Sequence, residues 1–340
     1  MRHLFLMDPI EEIRIDLDST FALMLEAQRR SHEVLYATVD HLHGKAGECW
    51  ADARAASLTT QQGDHARLGP WTETLLGDVD VVWMRKDPPF DMAYIFTTYL
   101  LDMAERDAMV VNAPAGLRAF NEKAWTLHFP ELVPPSLVTR SGSRLRGMMD
   151  EVGPIVVKPL DGNGGEGVFI VRPDDPNLGV ILETSTQHET RTILAQQYLP
   201  EAVEGDKRII LVDGEPVGAC LRVPTGVDHR GNIHVGARVE ACGLSTRDQQ
   251  ICAAIGPQLR EAGQVFVGID VIGDYLTEVN VTSPTCIHEI NAFDGIAYQT
   301  VTATTADDDT AAFTLSTTTA SVTEAGSTAT LTVVLDTQPL

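Results

Sequence analysis

The chain has 340 residues, of which 48 are Asp or Glu and 25 are Lys or Arg, so its formal net charge is −23. A hydrophobic fraction of 44% is ordinary for a folded protein of two or three domains. So acidic a chain lacks the basic surface that a nucleic acid or an anionic membrane requires, and neither is an expected partner. An anionic substrate must therefore be held by a few local cations.

The first 112 residues alternate predicted strands with predicted helices, as in an open α/β layer. The predicted strands cover 3–7, 33–39, 78–85 and 109–112, and the predicted helices cover 18–30 and 93–106. Ligand sites in such layers lie beyond the carboxyl ends of the strands. The run 85–90 stands at such an end and is the first candidate site.

A second unit begins near residue 121 and carries a glycine loop and two hairpins. Its predicted strands are 154–160, 168–172 and 192–199, the hairpins are 207–223 and 266–281, a helix covers 246–262, and 224–238 is a polar, Gly-rich loop. The segment from residue 300 differs, because it has 14 Thr, five acidic residues and no Lys or Arg.

The glycine loop 161–167 follows Lys158 at the end of a predicted strand and leads into another strand. Glycines let backbone N–H groups approach phosphate oxygens closely, which favours a phosphate site. The loop is neither a Walker P-loop nor a Rossmann fingerprint, because the spacing differs and no helix follows. A plain glycine-rich turn remains the alternative.

The second hairpin carries Asp270, Glu278 and Asn280. Glu278 and Asn280 share one strand face, and Asp270 lies opposite Glu278 across a turn at 273–274. Two carboxylates and an amide oxygen in so apolar a hairpin predict a hard cation such as Mg²⁺, with a solvated polar face as the alternative. With the phosphate loop, this set predicts a nucleotide site in an ATP-grasp fold, whose two α+β units clamp ATP behind the N-terminal α/β layer.

The five cysteines are odd in number, widely spaced and without a CxxC pair, which indicates neither a disulfide framework nor a zinc site. The apolar run at the N-terminus is too short for a signal peptide, and no run approaches the length of a membrane helix. A cytoplasmic protein is expected. Only five residues are Lys, and four of them (Lys86, Lys123, Lys158, Lys207) fall in the candidate motifs, which codon bias alone does not explain.

From Met1 to about Tyr298 the sequence resembles the prokaryotic glutathione synthetases. The matching strings are MDPI (7–10), DSTFALMLEAQRR (18–30), MRKDPPFD (84–91), NEK (121–123), KPLDGNGG (158–165), DPNLGVI (175–181), GDKRI (205–209), FVGIDVIGDYLTEVNVTSPTCI (266–287) and HEI (288–290). The resemblance implies domains at 1–121, 122–200 and 201–299, followed by an atypical tail at 300–340.

The resemblance also implies an ATP-dependent ligation of γ-glutamylcysteine and glycine through an acyl phosphate, in a homotetramer. The implied ATP contacts are Lys123, Lys158, Gly162, Asn163, Gly164, Gly165, Gln197, Tyr198, Leu199, Asp206 and Lys207. Arg208 and Arg222 would be catalytic, and Asp270, Glu278 and Asn280 would hold Mg²⁺, or Mn²⁺. The implied substrate contacts are Ser19, Arg85, Lys86, Asn232, Arg238, Ser283, Pro284 and Thr285, and 223–238 would form a lid.

The sequence departs from the family in three places. The approach to the lid, 221–226, is one residue shorter than usual, and His288 replaces an arginine. The closing helix is replaced by a tail whose 313–335 segment resembles the first strands of a Calx-β module, with a disordered acidic tail as the alternative. Three functional alternatives follow: another ATP-grasp carboxylate–amine ligase, a ligase inactivated by loss of the helix, or a non-enzymatic binding module.

Overall fold

The computed structural model describes residues 1–225, 238–294, 299–306, 312–315 and 331–335. The predicted polar loop 224–238, and with it Asn232, lies largely outside these ranges. Within them, no helix combines the length and the apolar character needed to cross a bilayer.

The N-terminal unit is a mixed sheet flanked by helices. Its elements are β1 (Arg2–Leu6), α1 (Ser19–Arg29), β2 (Glu33–Ala37), β3 (Leu42–Lys45), β4 (Glu48–Leu58), β5 (Ala66–Leu68), β6 (Thr72–Leu75), β7 (Val81–Met84), α2 (Met92–Ala104), β8 (Met109–Val111) and α3 (Pro114–Ala119). The strand order is β3-β4-β2-β1-β7-β8, and β5 and β6 also pair with β4. The four predicted strands and both predicted helices are confirmed, whereas the antiparallel strands β3 to β6 were not predicted.

Acidic caps fix where the two longer helices of this unit begin. The Asp18 carboxylate accepts a hydrogen bond from the Phe21 amide at 2.7 Å, and Asp91 accepts one from Tyr94 at 3.0 Å. Each cap satisfies an amide that the first helical turn leaves unpaired, a contribution of about 1 kcal/mol. These caps hold the starts of α1 and α2 next to the carboxyl ends of β1 and β7.

The middle unit is an antiparallel sheet with a small core of its own. Its elements are β9 (Ser136–Thr139), α4 (Gly142–Val152), β10 (Ile155–Pro159), β11 (Phe169–Val171), α5 (Leu178–Ser185) and β12 (Ile193–Gln197). The strand order is β11-β10-β12-β9, and Leu145, Val157 and Leu182 are buried between the sheet and its helices. The glycine loop joins β10 to β11, so the prediction that a strand and not a helix follows it is confirmed.

The third unit carries the two predicted hairpins. Its elements are β13 (Asp206–Val212), β14 (Glu215–Val223), β15 (Arg238–Ala241), α6 (Thr246–Glu261), β16 (Phe266–Ile272), β17 (Tyr275–Asn280) and α7 (Ile287–Asp294). The strand order is β15-β14-β13-β16-β17. The turn Asp213–Gly214 has positive φ at both residues, and a Cβ on Gly214 would stand 2.5 Å from the Gly256 carbonyl oxygen, so only glycine suits that place.

A buried amide joins the first and third units. The Asn112 side chain, which follows β8, donates to the carbonyls of Phe266 and Val281 and accepts from the Phe266 amide, all within 2.8 Å. These bonds hold the start of β16 and the end of β17 against the N-terminal sheet. The apolar residues of both sheets form two shared buried clusters, whereas the middle unit packs around a core of its own.

Three further strands are described in the tail: β18 (Gln299–Ala306), β19 (Ala312–Leu315) and β20 (Leu331–Leu335). They pair antiparallel in the order β19-β18-β20. No helix occurs in the described residues from 299 onward. The division of the chain at residues 121, 200 and 299 stays a prediction.

His3, on β1, makes folding stability depend on pH. Burial, the neighbouring His32 and the N-terminus lower the His3 pKa from 6.5 to about 4. Below pH 6.5 the unfolded chain therefore takes up a proton that the folded chain refuses, so stability falls by up to about 3 kcal/mol between pH 6.5 and pH 4. We expect His3→Gln to remove most of this loss of stability, measured as the difference between the free energies of unfolding by urea at pH 7 and at pH 4.5. An unchanged pH dependence in the variant would contradict this.

Candidate active site

A cavity of about 1150 Å³ lies between the middle and third units. Most of the predicted site residues line it, although they come from segments far apart in the chain. Those residues are Lys123, Lys158, Gly162, Asn163, Gly164, Gly165, Gln197, Tyr198, Leu199, Asp206, Arg208, Arg222, Asp270, Glu278, Asn280, Ser283, Pro284 and Thr285. The cavity is large enough for a nucleotide together with a small substrate.

The glycine loop forms one wall of the cavity. Gly164, Gly165 and Gly167 all have positive φ, a conformation that residues with side chains rarely adopt. Lys123 ties the loop down, because its ammonium donates to the Gly162 carbonyl at 2.7 Å. Lys158, at the end of β10, lines the cavity beside the loop. Two lysines and a loop of accessible backbone amides therefore face the same space, as phosphate binding requires.

The carboxylate hairpin forms the opposite wall. Asp270 on β16 pairs in register with Glu278 on β17, and Asn280 pairs with Gly268, so the predicted facing of Asp270 and Glu278 is confirmed. The Asn280 amide nitrogen stands 3.3 Å from an Asp270 carboxylate oxygen. All three side chains border the cavity.

Two buried arginines hold Asp270 in its ionised form. Arg208 contacts both Asp270 oxygens, at 2.5 and 2.9 Å, and Arg222 lies 2.9 Å from one of them. Burial alone would raise the Asp270 pKa, but the two guanidinium groups outweigh it and hold that pKa well below its usual range. Arg222 also pairs with Asp206 at 2.5 Å, yet burial raises the Asp206 pKa to about 6.

Lysines compensate the second carboxylate of the hairpin. The Glu278 oxygen lies 3.7 Å from the Lys158 ammonium and 4.0 Å from that of Lys123. Lys123 also pairs with Glu122 at 3.2 Å, and although burial opposes its charge, Glu278 and Glu122 together raise the Lys123 pKa. Burial raises the Glu122 pKa in spite of Lys123. Lys123 is therefore kept charged beside the space where phosphates would bind.

The donor set of the hairpin suits a hard divalent cation. Among the described residues, no group of three or more His, Cys, Asp or Glu side chains could hold a metal ion. The hairpin instead offers two carboxylates and one amide, with cavity space beside them for phosphate oxygens. Mg²⁺ commonly binds with few protein oxygens and completes its shell with water and substrate phosphates, so these residues fit it.

The hinge that was predicted to bind a base lies at the end of β12. Gln197, Tyr198 and Leu199 line the cavity, as predicted. The Gln197 amide already donates to the Pro135 carbonyl, and the Tyr198 amide donates to the Pro154 carbonyl, each at 2.9 Å. These two N–H groups are therefore engaged within the chain, and the contact of Gln197 and Leu199 backbone groups with a nucleotide base stays a prediction.

Two predicted lysines lie outside the cavity wall. The Lys207 ammonium pairs with the fully buried Asp248 at 2.5 Å, and Lys86 pairs with Asp8 at 2.8 Å. Arg238 pairs with Glu240 on the same exposed strand, β15. Of the four lysines in the predicted motifs, Lys123 and Lys158 line the cavity, whereas Lys86 and Lys207 pair with acidic neighbours outside its lining.

Arg85 and Ser19, which were predicted to contact the substrate, do not line the cavity and instead contact residues of other segments. The buried Arg85 guanidinium donates to the Thr20 hydroxyl at 3.0 Å and to the Pro284 carbonyl at 2.9 Å. The Ser19 hydroxyl accepts from the Ile287 amide at 3.2 Å. Both side chains therefore fix the segment 283–287, part of which lines the cavity, and do not line it themselves.

Sequence reasoning missed two acidic residues of the cavity, Glu122 and Glu166. Each stands inside a string that was singled out for its other members, the NEK string for its lysine and the glycine loop for its glycines. The signal was therefore present in the sequence. The negative charge of a carboxylate beside a predicted phosphate site must either be neutralised by a nearby cation or take part in ligand binding.

Comparison with protein families gives two matches that together span most of the chain. Residues 1–118 match the prokaryotic glutathione synthetase N-terminal domain, and residues 122–295 match the prokaryotic glutathione synthetase ATP-grasp domain. Glutathione synthetase from Escherichia coli K12 is 48% identical over 288 residues, which cover 84% of this chain and 91% of that protein. The enzyme from Vibrio parahaemolyticus is 47% identical over the same lengths.

Solved structures with a similar fold include D-cycloserine synthetase DcsG, with a TM-score of 0.58 at 14% identity, and the ATP-grasp ligase PsnB, with a TM-score of 0.53 at 15% identity. Each similarity covers 83% of this chain and at least 90% of the other. Identities this low support the ATP-grasp fold alone. The predicted fold class is confirmed.

Proposed function

The chain belongs to the prokaryotic glutathione synthetase family of ATP-dependent ligases, and we propose that its cavity joins γ-glutamylcysteine to glycine through an acyl phosphate. The observation that carries this proposal is the meeting of the glycine loop, two lysines, two arginines and the carboxylate hairpin around one space. A site of this kind can bind a triphosphate and stabilise its transfer to a carboxylate.

The proposed reaction has two steps. An oxygen of the cysteinyl carboxylate of γ-glutamylcysteine attacks the terminal phosphorus of ATP, and ADP leaves. The amine of glycine then attacks the acyl carbon, and the C–O bond to the phosphoryl group breaks. Phosphate therefore leaves with one oxygen of the original carboxylate, and the amine gives up a proton as the amide forms.

The cations of the cavity divide between two roles. Lys123 and Lys158, with the glycine loop, hold the phosphates of ATP, because they face the space between the loop and the hairpin. Arg208 and Arg222 stand where the transferred phosphoryl group would gain negative charge, and both are buried. Buried guanidinium groups are held in place before the reaction and stabilise such charge without reorganising. Asp206 orients Arg222 through their ion pair.

Asp270, Glu278 and Asn280 would hold Mg²⁺, with Mn²⁺ as a substitute of similar chemistry. The bound cation would neutralise phosphate charge during the transfer. Asp270 is suited to this place because the two arginines keep it ionised. Ser283, Pro284 and Thr285 line the same cavity and would contact the dipeptide.

The oxygen balance of the reaction gives a direct test. We expect ¹⁸O placed in the cysteinyl carboxylate of γ-glutamylcysteine to appear in inorganic phosphate, one atom per turnover, by mass spectrometry or ³¹P NMR. Unlabelled phosphate formed together with labelled glutathione would exclude the acyl phosphate. ADP formation that ignores the dipeptide would exclude the ligase assignment itself.

We also propose that the chain works as a cytoplasmic homotetramer with small-molecule substrates only. The cytoplasmic location rests on the odd, scattered cysteines, and the tetramer on the family resemblance. One surface supports self-association: Met92, Phe96 and Tyr99 lie along one face of α2 and are each at least half exposed.

A further inference from the structure

Glu166 differs from most of the acidic side chains that line the cavity. Among the described residues its carboxylate has no ion pair and no hydrogen bond, although it is exposed on the cavity wall. By contrast, Glu122, Asp206, Asp270 and Glu278 each lie within 4.0 Å of a Lys or Arg nitrogen. Glu166 therefore adds a negative charge to the wall that no described cation cancels.

The effect of the Glu166 charge on a bound ligand depends on where the side chain lies in the cavity. Glu166 belongs to the glycine loop, whose turn is closed by a hydrogen bond from the Glu166 amide to the Asn163 carbonyl. Asp87 also lines the cavity without an ion pair in the described part of the chain, but it belongs to the segment between β7 and α2 and not to the loop. Glu166 is thus the uncompensated carboxylate on the loop itself, where the proposed function places the phosphates.

A fixed negative charge repels a phosphate ligand in proportion to the charge of that ligand. Bound Mg²⁺ removes two negative charges from ATP, so the complex is repelled less than metal-free ATP. The lysines of the site offset part of the repulsion for both forms, but they do not remove the difference between them. A carboxylate on the loop therefore changes which form of the nucleotide the cavity prefers.

We propose that Glu166 is a specificity-determining residue that makes the cavity reject metal-free ATP in favour of ATP complexed with Mg²⁺. This inference rests on the proposed function, because it requires the phosphates of ATP to lie at the glycine loop. Glu166 contributes by repulsion, so its removal tightens nucleotide binding.

Calorimetric titration of the full-length protein with ATP tests this, once in excess EDTA and once in excess Mg²⁺. For Glu166→Gln we expect metal-free ATP to bind about tenfold more tightly and the Mg²⁺ complex about threefold more tightly. The preference for the complex then falls about threefold. Because salt screens exposed charges, the loss of preference caused by Glu166→Gln should be smaller at 0.5 M NaCl. Circular dichroism checks that the variant is folded.

Glu183→Gln is the matched control, because Glu183 is an exposed residue of α5 in the same unit and does not line the cavity. The preference of Glu183→Gln for the Mg²⁺ complex over metal-free ATP should equal that of the wild type. The proposal is overturned if Glu166→Gln leaves the preference unchanged, if both forms tighten equally, or if the Mg²⁺ complex binds more weakly. If the wild type binds neither form, the proposed function fails as well.

Discussion

Replacing Glu278 by Gln should lower ligase turnover by at least about 100-fold while leaving the fold intact. Glu278 faces Asp270 across the hairpin and lies 3.7 Å from Lys158, so its charge acts on both the proposed cation and the lysine proposed to bind phosphate. The amide of Gln keeps the shape of the side chain but supplies no negative charge. Steady-state ADP release with γ-glutamylcysteine, glycine and saturating Mg²⁺ measures the loss.

A second readout separates loss of the cation from a structural effect. In the presence of ADP, Mn²⁺ titration followed by electron paramagnetic resonance should show weaker binding to Glu278→Gln, with the melting temperature unchanged. Asp274→Asn is the control, because Asp274 lies exposed at the turn of the same hairpin. Near-wild-type turnover of Glu278→Gln, or a loss of turnover with Mn²⁺ binding unchanged, would contradict the assigned role.

Replacing Arg222 by Met should lower kcat by about 10³-fold, because a buried cation next to the transferred phosphoryl group is lost. This variant should also be less stable, by about 3–5 kcal/mol, since Asp206 and Asp270 would each lose a buried partner. Single-turnover phosphoryl transfer and urea unfolding measure the two effects separately.

Arg222→Lys distinguishes catalysis from folding if the Met variant is too unstable to assay. Lys keeps the charge near Asp206 and Asp270, both of which Arg222 contacts through its Nη2 atom, but it lacks the planar guanidinium group. We expect this variant to recover most of the stability and less of the rate, with the KM for ATP changing less than kcat. Recovery of full kcat would show that Arg222 is needed only for structure.

The chemistry of the hairpin could be predicted from sequence because it depends on local geometry. The turn at Gly273 pairs Ile272 with Tyr275 and Val271 with Leu276, and a register shift of one residue between Asp270 and Val271 then places Asp270 opposite Glu278. The facing of the two carboxylates was predicted, but this shift was not. The two-residue repeat of a strand places Asn280 on the same face. The glycine loop is equally local. Arg222, which lies in the segment 221–226 that was predicted to be one residue shorter than usual, lines the cavity as part of β14, which pairs with β13.

Contacts between distant segments could not be predicted. Lys207 is held by Asp248, 41 residues away, and the Arg85 guanidinium binds the Pro284 carbonyl, 199 residues away. The residue spacing around Lys207 and around Arg85 does not predict these contacts, nor that both side chains are absent from the cavity lining. The antiparallel strands β3 to β6 were missed because their sequence has neither a helical period nor a long apolar run.

The negative net charge of the chain limits where the protein can bind an anion. A protein with a net charge of −23 binds an anion only where cations are concentrated. Four cations line the cavity: Lys123, Lys158, Arg208 and Arg222. Each of these cations is paired with a carboxylate, and Asp87 and Glu166 line the cavity without an ion pair among the described residues, so the site has no excess positive charge before a nucleotide binds.

The central claim is that this cavity joins γ-glutamylcysteine to glycine at the expense of ATP. Coupled ADP release by the purified full-length chain, with each substrate omitted in turn, tests it most directly. We predict ADP release only when ATP, Mg²⁺, γ-glutamylcysteine and glycine are all present, with one glutathione formed per ADP. ADP release that continues without the dipeptide and does not respond to glycine would contradict the claim.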